Sequence, residues 1–248
     1  MVVPLTPLPP SDDGFYAINN HYLVNGPKGF SEKKILENGD LFVRIDFPGV
    51  PKYGVKTFFN PSKRAVAIFA DAPKEYKYDS SHRSYGTQTG LRCGCCKISG
   101  ITSHMSDGVF RLLLTKTHIS QVSSCIVRGG LNQQPCTDPY DPALTGPVIQ
   151  PHPCVNEGSE MAYESKQLQN GSLYVRLDMP GVPKDKFTVS VNKGKVMVTG
   201  EAPAVSHDSA SRFYSGDVAR LTNLADIPSR RIKTIAKNGV IRLIIPPL

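Results

Sequence analysis

NGSLYVRLDMPGVPK, residues 170–184, recurs as NGDLFVRIDFPGVPK at residues 38–52. The substitutions between the copies, Asp/Ser, Phe/Tyr, Ile/Leu and Phe/Met, nearly all keep what a packed strand position requires. The match resumes downstream with small register shifts: VAIFADAP at 66–73 faces VMVTGEAP at 196–203, and DGVFRLLL at 107–114 faces NGVIRLII at 238–245. One module written twice predicts two domains, each of an ordinary domain length. The chain divides into an irregular N-terminal segment (1–30), a first, more diverged domain (31–118), a linker (119–164) and a second domain (165–248).

The hydrophobic period in the second copy is two. Leu173, Val175 and Leu177 alternate with Tyr174, Arg176 and Asp178, and Phe187, Val189 and Val191 alternate with Thr188, Ser190 and Asn192. That is the pattern of strands with one buried face, and Pro180-Gly181, Lys193-Gly194 and Asn238-Gly239 supply turns between them. Further strands are predicted over 196–199, 212–214, 217–221, 232–236 and 240–245, and in the first copy over 41–46, 55–59, 65–69, 91–98, 101–105 and 109–114. Short strands without an amphipathic helix predict an all-β fold, two immunoglobulin-like β-sandwiches. Between them, Gly129-Gly130, Pro135, Asp138-Pro139, Asp141-Pro142, Gly146-Pro147, Pro151 and Pro153 break any regular ladder, so a Pro/Gly-rich tether is expected.

Composition narrows the function classes. The net charge of +8 divides into 14 Lys/Arg against 8 Asp/Glu over 31–118, 13 against 6 over 165–248, and 2 against 7 elsewhere. Such a spread reads as solvated basic faces. Without basic and aromatic residues interleaved to stack bases, direct nucleic-acid binding is not expected. No apolar run reaches the length of a membrane span, and the N-terminal MVVPLTPLPPSDDGF lacks a signal-peptide pattern, so no membrane association is expected. Domains of this size need no disulfide staples, and the six cysteines follow no repeated spacing, which points to a reducing compartment, cytoplasm or nucleus.

At DMPGVPK (178–184), FTVSV (187–191), VMVTGE (196–201) and NGVIRLIIP (238–246), the chain resembles the α-crystallin domain of small heat-shock proteins, plant ones in particular. The pattern recurs less faithfully from Asp46 to Leu114, so the resemblance covers roughly two-thirds of the chain. It implies α-crystallin sandwiches, an ATP-independent holdase that binds partly unfolded proteins, and self-association through these domains. Edge main-chain groups and an apolar stripe between the 187–191 and 232–236 strands would receive the client, with Phe187, Val189, Val191, Ile232 and Ile235 as its lining. For each of these side chains the competing reading is sandwich core. Arg220 is the counterpart of the arginine that stabilises dimers in the family. The closing strand is followed by Pro246-Pro247-Leu248 rather than an extension carrying an I-x-I motif, so large shells are not expected. The alternative is a specialised non-stress adaptor in a dedicated complex, nuclear or cytosolic, of the kind to which plant α-crystallin-domain proteins linked to active DNA demethylation belong.

Two constellations compete with this reading. Cys93, Cys95 and Cys96, completed by His104 or His82, would suit zinc, but buried strand cysteines acting as small apolar groups are the favoured reading, so no metal and no cofactor are predicted. Asp46 and Asp178 are equivalent carboxylates, each before a Pro-Gly turn, and turn capping is expected of them rather than acid–base chemistry. No catalytic residue is predicted and no enzyme is expected.

Overall fold

A computed structural model describes residues 20, 22–27, 29–91, 93–119, 152, 154–221 and 227–247. In chain order its strands are β1 (Leu23–Asn25), β2 (Ser31–Ile35), β3 (Leu41–Asp46), β4 (Val55–Phe59), β5 (Ala65–Ala72), β6 (Arg83–Gly90), β7 (Cys96–Ser106) and β8 (Val109–His118). The second half carries β9 (Val155–Glu157), β10 (Tyr163–Gln167), β11 (Leu173–Asp178), β12 (Phe187–Asn192), β13 (Lys195–Ala202), β14 (Arg212–Arg220), β15 (Lys233–Lys237) and β16 (Val240–Ile245). The described helical structure is a single 3-10 turn, Ser229–Arg231. The fold is all-β, consistent with β-sandwiches of the α-crystallin type.

The strands form four antiparallel four-stranded sheets with the orders β2-β3-β8-β7, β4-β5-β6-β9, β10-β11-β16-β15 and β1-β14-β13-β12. One buried cluster joins Val43 and Ile45 of β3 and Leu112 and Leu114 of β8 to Val66 and Ile68 of β5. The other joins Val175, Leu177 and Leu243 to Val196 and Val198 in the same relation. Period-two alternation therefore places the core where the sequence pattern puts it. The Asp107-Gly108 and Asn238-Gly239 turns carry positive φ at both residues (47° and 71°, 53° and 68°), the geometry that lets a two-residue hairpin follow the strand twist.

Three departures from the sequence reading matter. First, the two small sheets exchange a strand. β1, in the segment expected to be irregular, pairs with β14, and β9, in the expected linker, pairs with β6. β10 also begins at Tyr163, before the expected boundary at 165. Second, β3 and β11 are buried on both faces, not one, except at their first residues. The loop 203–211 covers β3 and β8, with Lys34 Nζ on the His207 carbonyl at 2.6 Å and Arg111 on Asp208 at 2.6 Å. The loop 73–82 covers β11 and β16, with Lys166 Nζ on the Tyr78 carbonyl at 2.7 Å and Arg242 on Asp79 at 2.8 Å. Third, β6 was not anticipated, and residues 91–95 precede β7 instead of opening a strand. β7 is one bulged strand of 11 residues paired along β8, where separate strands over 91–98 and 101–105 were expected.

Candidate functional site

β12 ends one sheet and β15 ends the one facing it, so two strand edges lie unpaired by the described strands on the same flank of the second repeat. Phe187, Val189 and Val191 are half-buried and lean on the core from β12, opposite Gly200, Val198 and Val196 of β13. Ile232 is buried at the entry to β15, and the 3-10 turn packs beside β12. The four apolar side chains thus share the core side of the flank and are neither wholly core nor wholly surface. Ile235 differs. It stands opposite Arg242 while Ala236 stands opposite Ile241, so the period of two sends Ile235 to the face away from the core and Ala236 takes the inward place. Arg230 and Arg231, both exposed, border this flank with positive charge.

The first repeat has an equivalent flank between β4 and β7, which also end their sheets. Val55 and Thr57, opposite Ala70 and Ile68, are half-buried, whereas Phe59, opposite Val66, is exposed. Phe58 and Phe69, on the outer face of this sheet, meet edge to face with ring centres 6.0 Å apart, and both are about half exposed.

The repeats meet through their repeated motifs. Gly49 N–H donates to the Asn238 carbonyl at 2.8 Å and Gly181 N–H to the Asp107 carbonyl at 2.7 Å, so each Pro-Gly turn docks on the closing hairpin of the other repeat. Asp46 accepts from Arg212 at 2.7 Å, and Asp178 from Arg83 at 2.5 Å, each carboxylate also facing an arginine of its own strand, Arg44 or Arg176. The turn-capping role expected for Asp46 and Asp178 is replaced by ion pairing across the repeats, deep enough that all six side chains are buried. Asp79 continues the pattern: burial raises its pKa, but hydrogen bonds from Arg242 and Tyr174 overcome this and hold it at about 2. Asp208 is likewise held below the usual carboxylate range, burial being outweighed by Arg111 and Arg44. Breaking such a buried pair by removing one partner costs ~3–5 kcal/mol, because the other charge stays buried.

A model of the family described as predicted plant small heat shock protein matches residues 2–248. The chain belongs to this family. It is 41% identical, over 85% of its length, to a putative 57 kDa heat shock protein of Arabidopsis thaliana, of which the match covers 56%. It is also 26% identical, over 41% of its length, to a mitochondrial heat shock 22 kDa protein of Pisum sativum, of which the match covers 50%. The chain thus spans about half the length of these relatives.

For this small heat-shock protein, Arg220 is exposed at the end of β14, opposite Lys195 in register, and is not among the arginines that cross between the repeats. Among the described residues, Arg83, Arg111, Arg212 and Arg242 make side-chain hydrogen bonds across the repeats, and Arg44 lies 3.7 Å from Asp208. Sequence reasoning missed Arg83 and Arg212 although a signal existed: Arg-x-Tyr occurs at 83–85 and again at 212–214. Both tyrosines are buried and donate to the proline carbonyl of a Pro-Gly turn, Tyr85 to Pro48 at 2.6 Å and Tyr214 to Pro180 at 2.9 Å. Cys125, Cys136, most of the expected linker and Leu248 lie outside the described residues. Among the described residues no helix is long and apolar enough to cross a membrane.

Proposed function

We propose that this chain is an ATP-independent holdase that captures extended segments of partly unfolded proteins on the β12–β15 flank. The observation that carries this reading is the coincidence, on one flank, of two unpaired strand edges with the half-buried Phe187, Val189, Val191 and Ile232. An extended peptide added to such an edge gains main-chain hydrogen bonds, while alternate side chains enter the apolar trough. The matching β4–β7 flank makes the chain bivalent for clients, which raises avidity without new contacts. In this proposal the four sheets are two α-crystallin sandwiches of the immunoglobulin type, joined by the segment between β8 and β9. The protein works in the cytoplasm or nucleus, and it has no catalytic role. The exchange of β1 and β9 joins within one chain the kind of pair that self-association would otherwise assemble.

The test is suppression of heat-induced light scattering of a thermolabile enzyme without ATP. The full chain is expected to suppress scattering at substoichiometric ratio, and Val189→Glu, which places a charge in the trough, to lose most of that effect while keeping the strand content seen by circular dichroism. No suppression at an equimolar ratio by the unmodified chain would sink the reading. Affinity capture before and after heating then separates a holdase, which gains many clients, from an adaptor, which keeps a small constant set.

A further inference from the structure

We propose that Cys93, Cys95, Cys96 and His118 form a binding site for a zinc-class divalent cation at the end of the first repeat. The sulfur atoms of the three cysteines all lie within 4.8 Å of one another. Cys95 Sγ is 3.8 Å from Cys96 Sγ, and Cys96 Sγ is 3.8 Å from His118 Nδ1. A tetrahedral zinc ion, with bonds to sulfur near 2.3 Å and to nitrogen near 2.0–2.1 Å, sets neighbouring sulfurs about 3.8 Å apart and sulfur and nitrogen about 3.6 Å apart. The Cys95–Cys96 and Cys96–His118 separations are those of ligands around such an ion, and the widest cysteine pair needs up to about 1 Å of closure.

The fold explains why these four residues meet. β7 and β8 run past the other strands of their sheet, and Cys96 and His118 stand directly opposite each other in the ladder. Cross-strand neighbours on one face have their Cβ atoms ~4.5–5.5 Å apart, within reach of a shared ion. The loop that brings Cys93 and Cys95 is tied down by its carbonyls: Arg64 Nη2 donates to Cys93 at 2.9 Å, and the Ile119 N–H to Cys95 at 2.9 Å. Those bonds hold the loop in place, and with it the two sulfurs. Cys96 is fully buried, Cys93 and Cys95 half-buried and His118 exposed, so the cluster is open to entry on one side.

This proposal departs from the expectation of no metal and takes a different histidine from those first considered. His82 lies beside Glu157 at 3.4 Å, and His104 stands opposite Arg111 in the middle of the ladder. A soft set of three thiolates and one imidazole selects zinc over magnesium or calcium, whose sites are built from oxygen. Each thiol gives up its proton to solvent on binding, so uptake strengthens as pH rises. The second copy has no cysteine from residue 165 onward, so the site belongs to the first repeat alone and would staple the 91–95 loop to the end of β8.

The experiment uses the full chain, purified in reductant, stripped with a chelator and titrated with cobalt(II) as a probe. The expected result is saturation at about one equivalent, with thiolate-to-cobalt charge-transfer bands, intense visible bands of tetrahedral cobalt, and displacement by zinc. Cys93→Ser/Cys95→Ser should abolish the charge transfer, and His118→Ala should weaken zinc binding by more than about tenfold, since even outer-shell partners cost ~10–100-fold. Cys125→Ser/Cys136→Ser should leave the spectrum unchanged. An independent readout on the unmodified chain is alkylation mapped by mass spectrometry, where zinc should protect Cys93, Cys95 and Cys96 together. Absence of tetrahedral bands at a tenfold excess of cobalt would overturn the site. So would bands that survive Cys93→Ser/Cys95→Ser, or equal alkylation with and without zinc.

Discussion

His152 and Asn20 occupy equivalent places and solve one hydrogen-bonding problem with different chemistry. Asn20 Nδ2 donates to the Asp178 carbonyl while its Oδ1 accepts from the Tyr22 N–H at 3.0 Å. His152 Nε2 donates to the Asp46 carbonyl at 2.7 Å while Nδ1 accepts from the Cys154 N–H at 3.2 Å. Both ring nitrogens are thus committed in the neutral form, between the rings of Phe30 and Tyr85. Burial lowers the pKa of His152 from 6.5 to about 4, with Arg83 acting in the same direction and Asp46 and Asp178 opposing. The unfolded chain takes up a proton at pH 6.5 that the folded chain refuses until about pH 4. Stability from this site is therefore full above the upper value and is lost as pH falls through that window. By linkage the loss amounts to on the order of 3 kcal/mol. His152→Asn copies the arrangement of Asn20 and removes the titration. Urea melts at pH 7 and pH 4.5 should show this variant losing less stability on acidification than the unmodified chain; equal losses would mean that the acid sensitivity lies in the buried carboxylates.

At the scale of strands, the exchange of β1 and β9 rests on two glycines. Gly26 and Gly158 follow these strands at φ +109° and +94°. A Cβ on Gly158 would come within 2.0 Å of the His82 carbonyl oxygen, and one on Gly26 within 2.4 Å of that of Ser211. Gly158→Ala must therefore displace β9 from β6 and should cost on the order of 2 kcal/mol or more. The specific expectation is crossed: Gly158→Ala should speed hydrogen exchange at Gly86 N–H, which donates to the Cys154 carbonyl at 2.8 Å. Gly26→Ala should do so at Ser215 N–H, which donates to the Tyr22 carbonyl at 2.7 Å. Uniform loosening of both repeats by either change would contradict the exchange. Strands such as β3, β11, β12 and β16 were legible because apolar alternation names a face, whereas the polar β2 and β10 were not anticipated. β1 and β9, with three residues each, carry no period. Their information lies instead in a constant offset, since residues 20 and 152, 26 and 158, and 46 and 178 are all 132 apart. β6 escaped because Ser84, Gly86, Gln88 and Gly90 give it neither an apolar alternation nor a consistent strand preference. It is held by its pairing with β5 and by Arg83 and Tyr85, whose partners lie in other parts of the sequence. The core-side placing of Phe187, Val189, Val191 and Ile232 followed from the period, and that of Ile235 did not, because a strand's inward face had to be chosen across a preceding turn. The proposed cation site was illegible because His118 is 22 residues from Cys96 and stands opposite it only through the ladder.

Each repeat completes the other, so the whole molecule is expected to unfold as one cooperative body. A strand from ahead of the first repeat closes the small sheet of the second, and a strand from ahead of the second closes that of the first. The Asp46–Arg212 and Asp178–Arg83 pairs then desolvate four charges that water would otherwise solvate. Buried pairs of this kind add little to stability compared with apolar groups of the same shape, but they penalise any arrangement that leaves one partner behind. The two halves should therefore be inseparable without being covalently joined. Splitting the chain between residues 135 and 140 leaves β1 on one fragment and β9 on the other, each still needed by the opposite partner. Co-expressed, the fragments are expected to copurify as a one-to-one complex that melts in a single transition, below that of the intact chain because the tether's effective concentration is lost. Expressed singly, the first fragment should expose the β6 edge and a face of β3 and β8 stripped of the 203–211 loop, and the second the β14 edge and the matching face of β11 and β16. Unpaired edges beside buried-type surface are aggregation templates, so each fragment alone should be insoluble or polydisperse. Sedimentation and thermal melting check the outcome: two fragments that purify separately as stable monomers would show the repeats to be independent domains on a string, and the exchanged strands to be ornament on cores that close by themselves.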